Sequence, residues 1–209
     1  MSTSRSSSKQ LIIVILVAMA SACAGFLVWQ ITAKNTAPVR QALLELPEPR
    51  IIADFALVDQ DGTRFDLEKL KGRWSLLFFG FTHCPDICPT TLYDLQKVKQ
   101  AVPGHGEDWQ AILVSVDPER DSPARLKEYI GFFDQEFLAI TGDPRQLLPL
   151  SRQLGIAYHI EEHEPGEAVY DVDHSAGLVL MDPEGRQHGL FPAPHDVNSI
   201  SADMISILD

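Results

Sequence analysis

The sequence is poor in basic residues, poor in cysteine and free of internal repeats. Its 209 residues hold 17 Lys or Arg against 29 Asp or Glu, a formal net charge of −12. A phosphate backbone requires a basic face, so this balance argues against nucleic-acid binding. Three cysteines are too few to frame a disulfide-built secreted scaffold. Cys23 stands alone, whereas Cys84 and Cys88 form a close pair. Low complexity is confined to the Ser-rich start of the chain. What is present, 45% hydrophobic and 22% charged residues, suffices to close one core and lies far from the composition of a disordered protein.

Leu11 to Trp29 carries no charge and is bounded by Arg5 and Lys9 before it and Lys34 and Arg40 after it. As a helix these residues span about 28 Å, close to the bilayer hydrocarbon thickness, which predicts a transmembrane anchor over 11–29. The alternative is a cleaved signal peptide. Ala20-Ser21-Ala22-Cys23 loosely resembles a lipoprotein cleavage site, but the apolar run continues past it to Trp29, which favours an uncleaved span. Residues 1–10 then form an inner-side tail, and everything beyond the span faces outward. All 29 acidic residues lie on that outward side, so its surface would not be drawn to anionic lipid. Pro38, Pro47 and Pro49 make 30–49 a partly extended tether, leaving 50–209 as the folded domain. The space before Leu11 is too short for a long transit peptide. That points to a bacterial inner membrane with a periplasmic domain rather than to a mitochondrial one.

Within the domain, Ile51 to Val58 and Arg64 to Leu67 flank the turn signal Asp59-Gln60-Asp61-Gly62, predicting an N-terminal hairpin. Trp74 to Phe79 and Ala111 to Val116 are continuous apolar runs, as expected of central strands covered on both faces. A helix is expected over Pro89 to Ala101. Ser122-Pro123 and Asp143-Pro144 each place a capping residue before a proline at a helix start, and Gly155 closes the second of these helices. Leu178 to Met181 and Gln187 to Phe191 form a terminal hairpin around Asp182-Pro183-Glu184-Gly185, followed by a helix from Asp196 to Leu208. The class is α/β.

The chemical signal lies where the strand 74–79 meets its helix. The end of a strand in an open α/β sheet is where ligands bind, and free amides at a helix start favour a thiolate. Pro85 disfavours helical geometry at Cys84, so Cys84 lies in the loop and Cys88 near the first turn, which lets the two sulfurs converge. A regular helix would hold them too far apart to oxidise, so the loop must help if a disulfide is to form. On spacing alone, a structural or catalytic disulfide is the plainer reading. Two thiolates also make an incomplete metal site, and His174, just before a predicted core strand, is the choice for a third ligand. Asp173 could hold its imidazole or screen the site. Two soft sulfurs and an imidazole suit Cu(I) or Cu(II) better than Mg²⁺ or Ca²⁺, with Zn²⁺ the competitor.

Other polar residues have duller readings. Strand alternation turns His83 away from Cys84. His159, Glu161, Glu162, His163, Glu164 and Glu167 read as a solvated acidic loop that could transiently hold metal or meet a partner. Asp117-Pro118-Glu119-Arg120-Asp121 reads as a turn capping the next helix.

Three segments then occur in order: Gly80-Phe81-Thr82-His83-Cys84-Pro85-Asp86-Ile87-Cys88-Pro89, Val114-Ser115-Val116-Asp117-Pro118-Glu119-Arg120-Asp121 and Val172-Asp173-His174-Ser175. Together they closely resemble the Sco/SenC family of copper chaperones, from about residue 50 to the C-terminus. The resemblance implies a thioredoxin-like fold that binds Cu(I) or Cu(II) through Cys84, Cys88 and His174, with Asp173 beside the histidine and Asp86 inside the cysteine loop as supporting residues. It also implies a partner, subunit II of cytochrome c oxidase, whose binuclear copper centre the family helps to assemble by copper delivery, by reduction of the receiving cysteines, or by both. A thiol reductant protein would then be a second partner. Disulfide oxidoreductases of the same fold have two residues between their cysteines and a cis-proline facing them. Here three residues intervene, and no proline lies between Tyr170 and Asp182. Peroxiredoxins place a proline upstream of their reactive cysteine, and Leu77 to His83 contain none, which argues against peroxidase activity.

Overall fold

The structure is a computed structural model that describes the backbone of residues 4–34, 40–164, 166–167 and 169–209. It divides into two units, Met1–Val39 and Arg40–Asp209. The first contains one helix, α1 (Ser4–Lys34), whose side chains are described for residues 14–29. Of the expected transmembrane span, residues 11–13 therefore lie outside the described side chains. Among the described residues no helix is long and apolar enough to cross a membrane. Among the described side chains of α1, Val14, Leu16, Phe26 and Leu27 are more than half exposed.

The second unit is built on two long apolar strands, β4 (Trp74–Gly80) and β5 (Trp109–Ser115), paired in parallel from Trp74↔Trp109 to Gly80↔Ser115. Every residue of β5 is buried, as the unbroken apolar pattern requires of a strand covered on both faces. A third parallel strand, β6 (Leu138–Thr141), extends this sheet beside β5. The hairpin β2 (Ala56–Asp59) and β3 (Arg64–Asp66) continues beyond it. On the far side of β4 lie β9 (Leu178–Met181) and then β10 (Gln187–Phe191), both antiparallel, as the terminal hairpin predicts.

Between β4 and β5 runs α2 (Ile87–Ala101). It starts two residues before the expected Pro89, because a proline is tolerated in the first helical turn, where its missing N–H has no partner to lose. Helices α3 (Pro123–Phe133) and α4 (Pro144–Gln153) start as read: the Ser122 hydroxyl accepts from Arg125 N and the Asp143 carboxylate from Arg145 N. Gly155, at φ +73°, turns the chain after α4. The last helix, α5 (Val197–Leu208), is capped by Asp196 and lies against α2.

The expected tether is corrected by the fold. Residues from Arg40 onward cluster with the domain, and Leu44–Arg50 forms a strand, β1, on the outer edge of the sheet beside β10. Pro47 and Pro49 suggested extended linker, but an edge strand has N–H groups without ladder partners and so accommodates proline. The preceding residues are pinned by the buried Asp203 carboxylate on α5, which accepts the N–H groups of Gln41, Ala42 and Leu43 at 2.8, 2.8 and 2.9 Å.

Two further strands, β7 (Tyr158–Ile160) and β8 (Val172–His174), form a separate two-stranded antiparallel sheet. Their register sets Tyr158 opposite His174 and His159 opposite Asp173. Each is three residues long, too short for a periodic signal, so neither is foreseen from sequence pattern.

Candidate metal centre

The site forms where the buried end of β4 gives way to the loop before α2. Cys84 lies in that loop, half-buried, and Cys88 is fully buried in the first turn of α2. The turn brings the sulfurs together as anticipated: the Cys88 backbone N–H donates to Cys84 Sγ at 3.3 Å. No disulfide links them. Both are free thiols, so the expected disulfide is absent. Glycine at position 80 is needed for this approach, since a Cβ there would meet Cys88 Sγ at 2.8 Å.

His174 arrives from the end of β8, and its Nε2 lies 3.3 Å from Cys88 Sγ. Its Nδ1 faces the Ser175 carbonyl at 3.2 Å. A carbonyl only accepts, so Nδ1 carries the proton and the Nε2 lone pair points at the sulfurs. Phe78 and Phe81 stand edge-on to the ring, with centroids at 5.7 and 5.8 Å. Burial among them pushes the imidazole pKa below its ordinary value and keeps the ring neutral, as a ligand must be. Burial pushes the Cys88 thiol well up, so it keeps its proton until a cation replaces it. One donor atom from each of Cys84, Cys88 and His174 lies within 4.8 Å of the other two, and among the described residues these three are the one group of His, Cys, Asp or Glu side chains with such geometry.

The other sequence candidates fall outside this cluster. Asp173 does not hold the imidazole: it is exposed on β8 opposite His159, because neighbouring strand residues face opposite ways, and the Ser175 carbonyl takes the position expected for it. Its charge favours the protonated ring but is outweighed by burial. Asp86 occupies the N-cap position of α2 without a side-chain capping hydrogen bond and stays exposed. His83 is not one of the three clustered donors, but strand alternation does not turn it away: β4 ends at Gly80, and the exposed His83, with Nδ1 3.2 Å from Thr82 Oγ1, lines the same cleft as Cys84 and His174. His163, Glu119, Glu161, Glu162, Glu164 and Glu167 line a separate open bowl of about 730 Å³.

Cys84 and His174 open on a cleft of about 370 Å³, together with Phe81, Pro85, Asp171 and Asp173. Cys88 does not line the cleft; it is fully buried, with its Sγ 3.3 Å from His174 Nε2. The sulfur pair and one neutral imidazole make a soft, three-donor set that suits Cu(I) or Cu(II), whereas a closed Zn²⁺ site takes four protein ligands. Fold and site thus define a class: an α/β domain with a cysteine–cysteine–histidine pocket for a thiophilic cation.

The chain belongs to the SCO1/SenC family, whose profile matches residues 45–209. A Stutzerimonas stutzeri protein provisionally named for copper binding is 39% identical over 185 residues, covering 85% of this chain and 90% of that one. Among solved structures, Arabidopsis thaliana ScoI with copper bound is 35% identical, covers 74% of this chain and 96% of that chain, and superposes with a TM-score of 0.67. Bradyrhizobium japonicum ScoI with copper bound is 35% identical, covers 74% of this chain and 97% of that chain, and gives a TM-score of 0.65. These likenesses identify the domain as the mixed α/β, thioredoxin-like Sco fold.

Proposed function

We propose that this chain is a membrane-anchored copper chaperone that helps assemble the binuclear copper centre of cytochrome c oxidase subunit II. It is a copper-binding protein, and the observation that carries this is the convergence of Cys84 Sγ, Cys88 Sγ and His174 Nε2 within 4.8 Å. Copper is cargo here, and when bound it supplies a soft Lewis acid that exchanges ligands readily with incoming thiols. The protein's own part is to keep the imidazole neutral, through burial and the Ser175 carbonyl, and to surrender the buried Cys88 proton on loading. Cys84, half-exposed at the cleft mouth, is the ligand an acceptor reaches first. Asp86 and Asp173 border that mouth and lend it negative charge. Anchoring by 11–29 in a bacterial inner membrane, with the domain in the periplasm, is supported by the uncharged run and by exposed apolar side chains on α1.

Titrating the reduced full chain with copper tests this reading. The expected result is one copper per chain, sulfur-to-copper charge-transfer absorption, and loss of tight binding in Cys84→Ala, Cys88→Ala and His174→Ala. Stoichiometric retention by all three variants would overturn it.

A second reading, a thiol–disulfide reductase acting on the oxidase subunit or another partner, draws on the free state of both cysteines and the exposure of Cys84 in front of Cys88. One thiolate attacks a partner disulfide and the other resolves the mixed disulfide, leaving this pair oxidised and a thiol reductant protein to restore it. Metal-free His174→Ala that reduces an oxidised partner peptide as fast as wild type would favour this reading, and no exchange by the wild-type chain would eliminate it.

A further inference from the structure

The turn Asp117–Asp121, which follows β5, carries two carboxylates at 1% and 0% exposure. A buried carboxylate is retained only where donors compensate its lost hydration. Their donors belong to opposite halves of the metal pocket. Asp121 accepts Thr82 N at 2.9 Å and Thr82 Oγ1 at 2.6 Å, with Ser115 Oγ at 2.6 Å. Thr82 lies two residues before Cys84. Asp117 instead accepts the Tyr170 hydroxyl at 2.6 Å and Arg120 Nε, and Tyr170 lies four residues before His174.

Arg120 completes the link. Its guanidinium sits 3.6 Å from the Tyr170 ring centroid and 5.6 Å from that of Phe81, while Nη1 donates to the Tyr170 carbonyl at 3.1 Å. One planar cation thus touches an aromatic ring on the cysteine side and another on the histidine side, a geometry that lysine's point charge does not reproduce. The opposite face of Tyr170 is covered by the His163 ring, parallel within 9° at 3.6 Å. Among the described residues, the β7–β8 sheet that presents His174 has no backbone ladder to the main sheet. Its position over the cysteines is set by the short run of chain from His174 into β9, which pairs with β4, together with side-chain ties of this kind.

We propose that the Asp117–Asp121 turn is a bracket that sets the separation between the cysteine loop and His174, with Arg120 as the positioning residue on the histidine side. The bracket rests on the reading that Cys84, Cys88 and His174 hold copper. Arg120 touches none of these ligands in the contacts described above, so its effect passes through Tyr170 and β8.

The test is a double-mutant cycle on the full chain, reading Cu(I) affinity by competition with a chromogenic chelator and amide exchange of the metal-free protein at Val172 and His174. Arg120→Ala is expected to weaken copper binding about tenfold or more, in the range typical of lost outer-shell support, and to speed exchange on β8 while β4 and β5 stay protected. Arg120→Lys is expected not to rescue. In a His174→Ala background Arg120→Ala should add less than twofold. Should Arg120→Ala fail to fold, Tyr170→Phe, which removes the 2.6 Å hydrogen bond but keeps the ring stack, should show the same pattern with a smaller loss. Wild-type affinity with unchanged β8 exchange, or an equal loss with and without His174, overturns the bracket. If His174→Ala itself leaves affinity unchanged, the ligand reading fails instead, so the two failures are distinguishable.

Discussion

The two halves of the metal pocket are held in different ways. The cysteine loop grows directly out of β4, a central strand paired along its length with β5 and over Ser75 to Phe78 with β9, and its second cysteine sits in a regular helix. His174 is presented by a three-residue strand in a two-stranded sheet, tied down by Tyr170, by Arg120, and by Ser175, whose N–H donates to the Ala157 carbonyl at 2.9 Å. With two thiols on a rigid frame and one imidazole on a strapped flap, the pocket is expected to open first on the histidine side. That suits the copper delivery proposed above.

Several experiments would break or sharpen this contrast. The largest effect is expected from the rigid half: Cys84→Ala or Cys88→Ala should abolish tight copper binding, whereas His174→Ala should leave a weaker two-sulfur site, as measured by chelator competition. Gly80→Ala comes next. Its Cβ would lie 2.8 Å from Cys88 Sγ and 3.0 Å from the Phe78 ring, so denaturant unfolding should show a loss of about 1–3 kcal/mol, typical of overpacking, with impaired copper uptake. If copper uptake stays normal, the loop is softer than its setting on β4 implies.

Acidity should act through the protons that loading displaces. Burial raises the Cys88 pKa, so the thiol is protonated near neutrality and the cation must expel that proton. Affinity should therefore climb with rising pH and fall as pH drops, by about a decade per pH unit for each proton released. A pH-independent constant between neutrality and mild alkalinity would contradict this. His174 lies on the other side of the comparison: burial depresses its pKa, so it competes with the cation for a proton only in more acidic solution.

In the metal-free chain, amides of β7 and β8 should exchange with solvent far faster than those of β4 and β5, since a short two-stranded sheet opens locally. Uniform protection would show that the flap is as rigid as the frame. The smallest effect is expected far from the pocket, where Ser122→Ala removes the α3 cap and should cost about 1 kcal/mol with no change in copper affinity.

The parts of the chain with strong local patterns were the legible ones. The apolar runs at 74–79 and 111–116, the Ser122-Pro123 and Asp143-Pro144 helix starts and the 182–185 turn each state their structure within a few residues. Cys84 and Cys88 were legible for the same reason, because Pro85 and the helix start fix their relation locally. β1 was hidden by its prolines, which an edge strand tolerates, and β6, β7 and β8 by their brevity. Asp173 looked like the partner of its neighbour His174, but the pleat sends adjacent side chains to opposite faces. The Asp117–Asp121 turn gave no sign of its reach, since its partners Thr82 and Tyr170 lie 39 and 53 residues away from Asp121 and Asp117.

The order of residues alone determined the α/β class, the buried central strands, the helix caps and the donor types gathered for a soft cation, because these follow from hydrophobic period, backbone restriction and side-chain chemistry over short distances. Only the tertiary structure decided that His174 Nε2 meets Cys88 Sγ, which imidazole nitrogen keeps its proton, and that one turn ties both halves of the pocket. Those facts are meetings between segments far apart in the chain. Their geometry is set by the packing of whole elements, which no local pattern encodes.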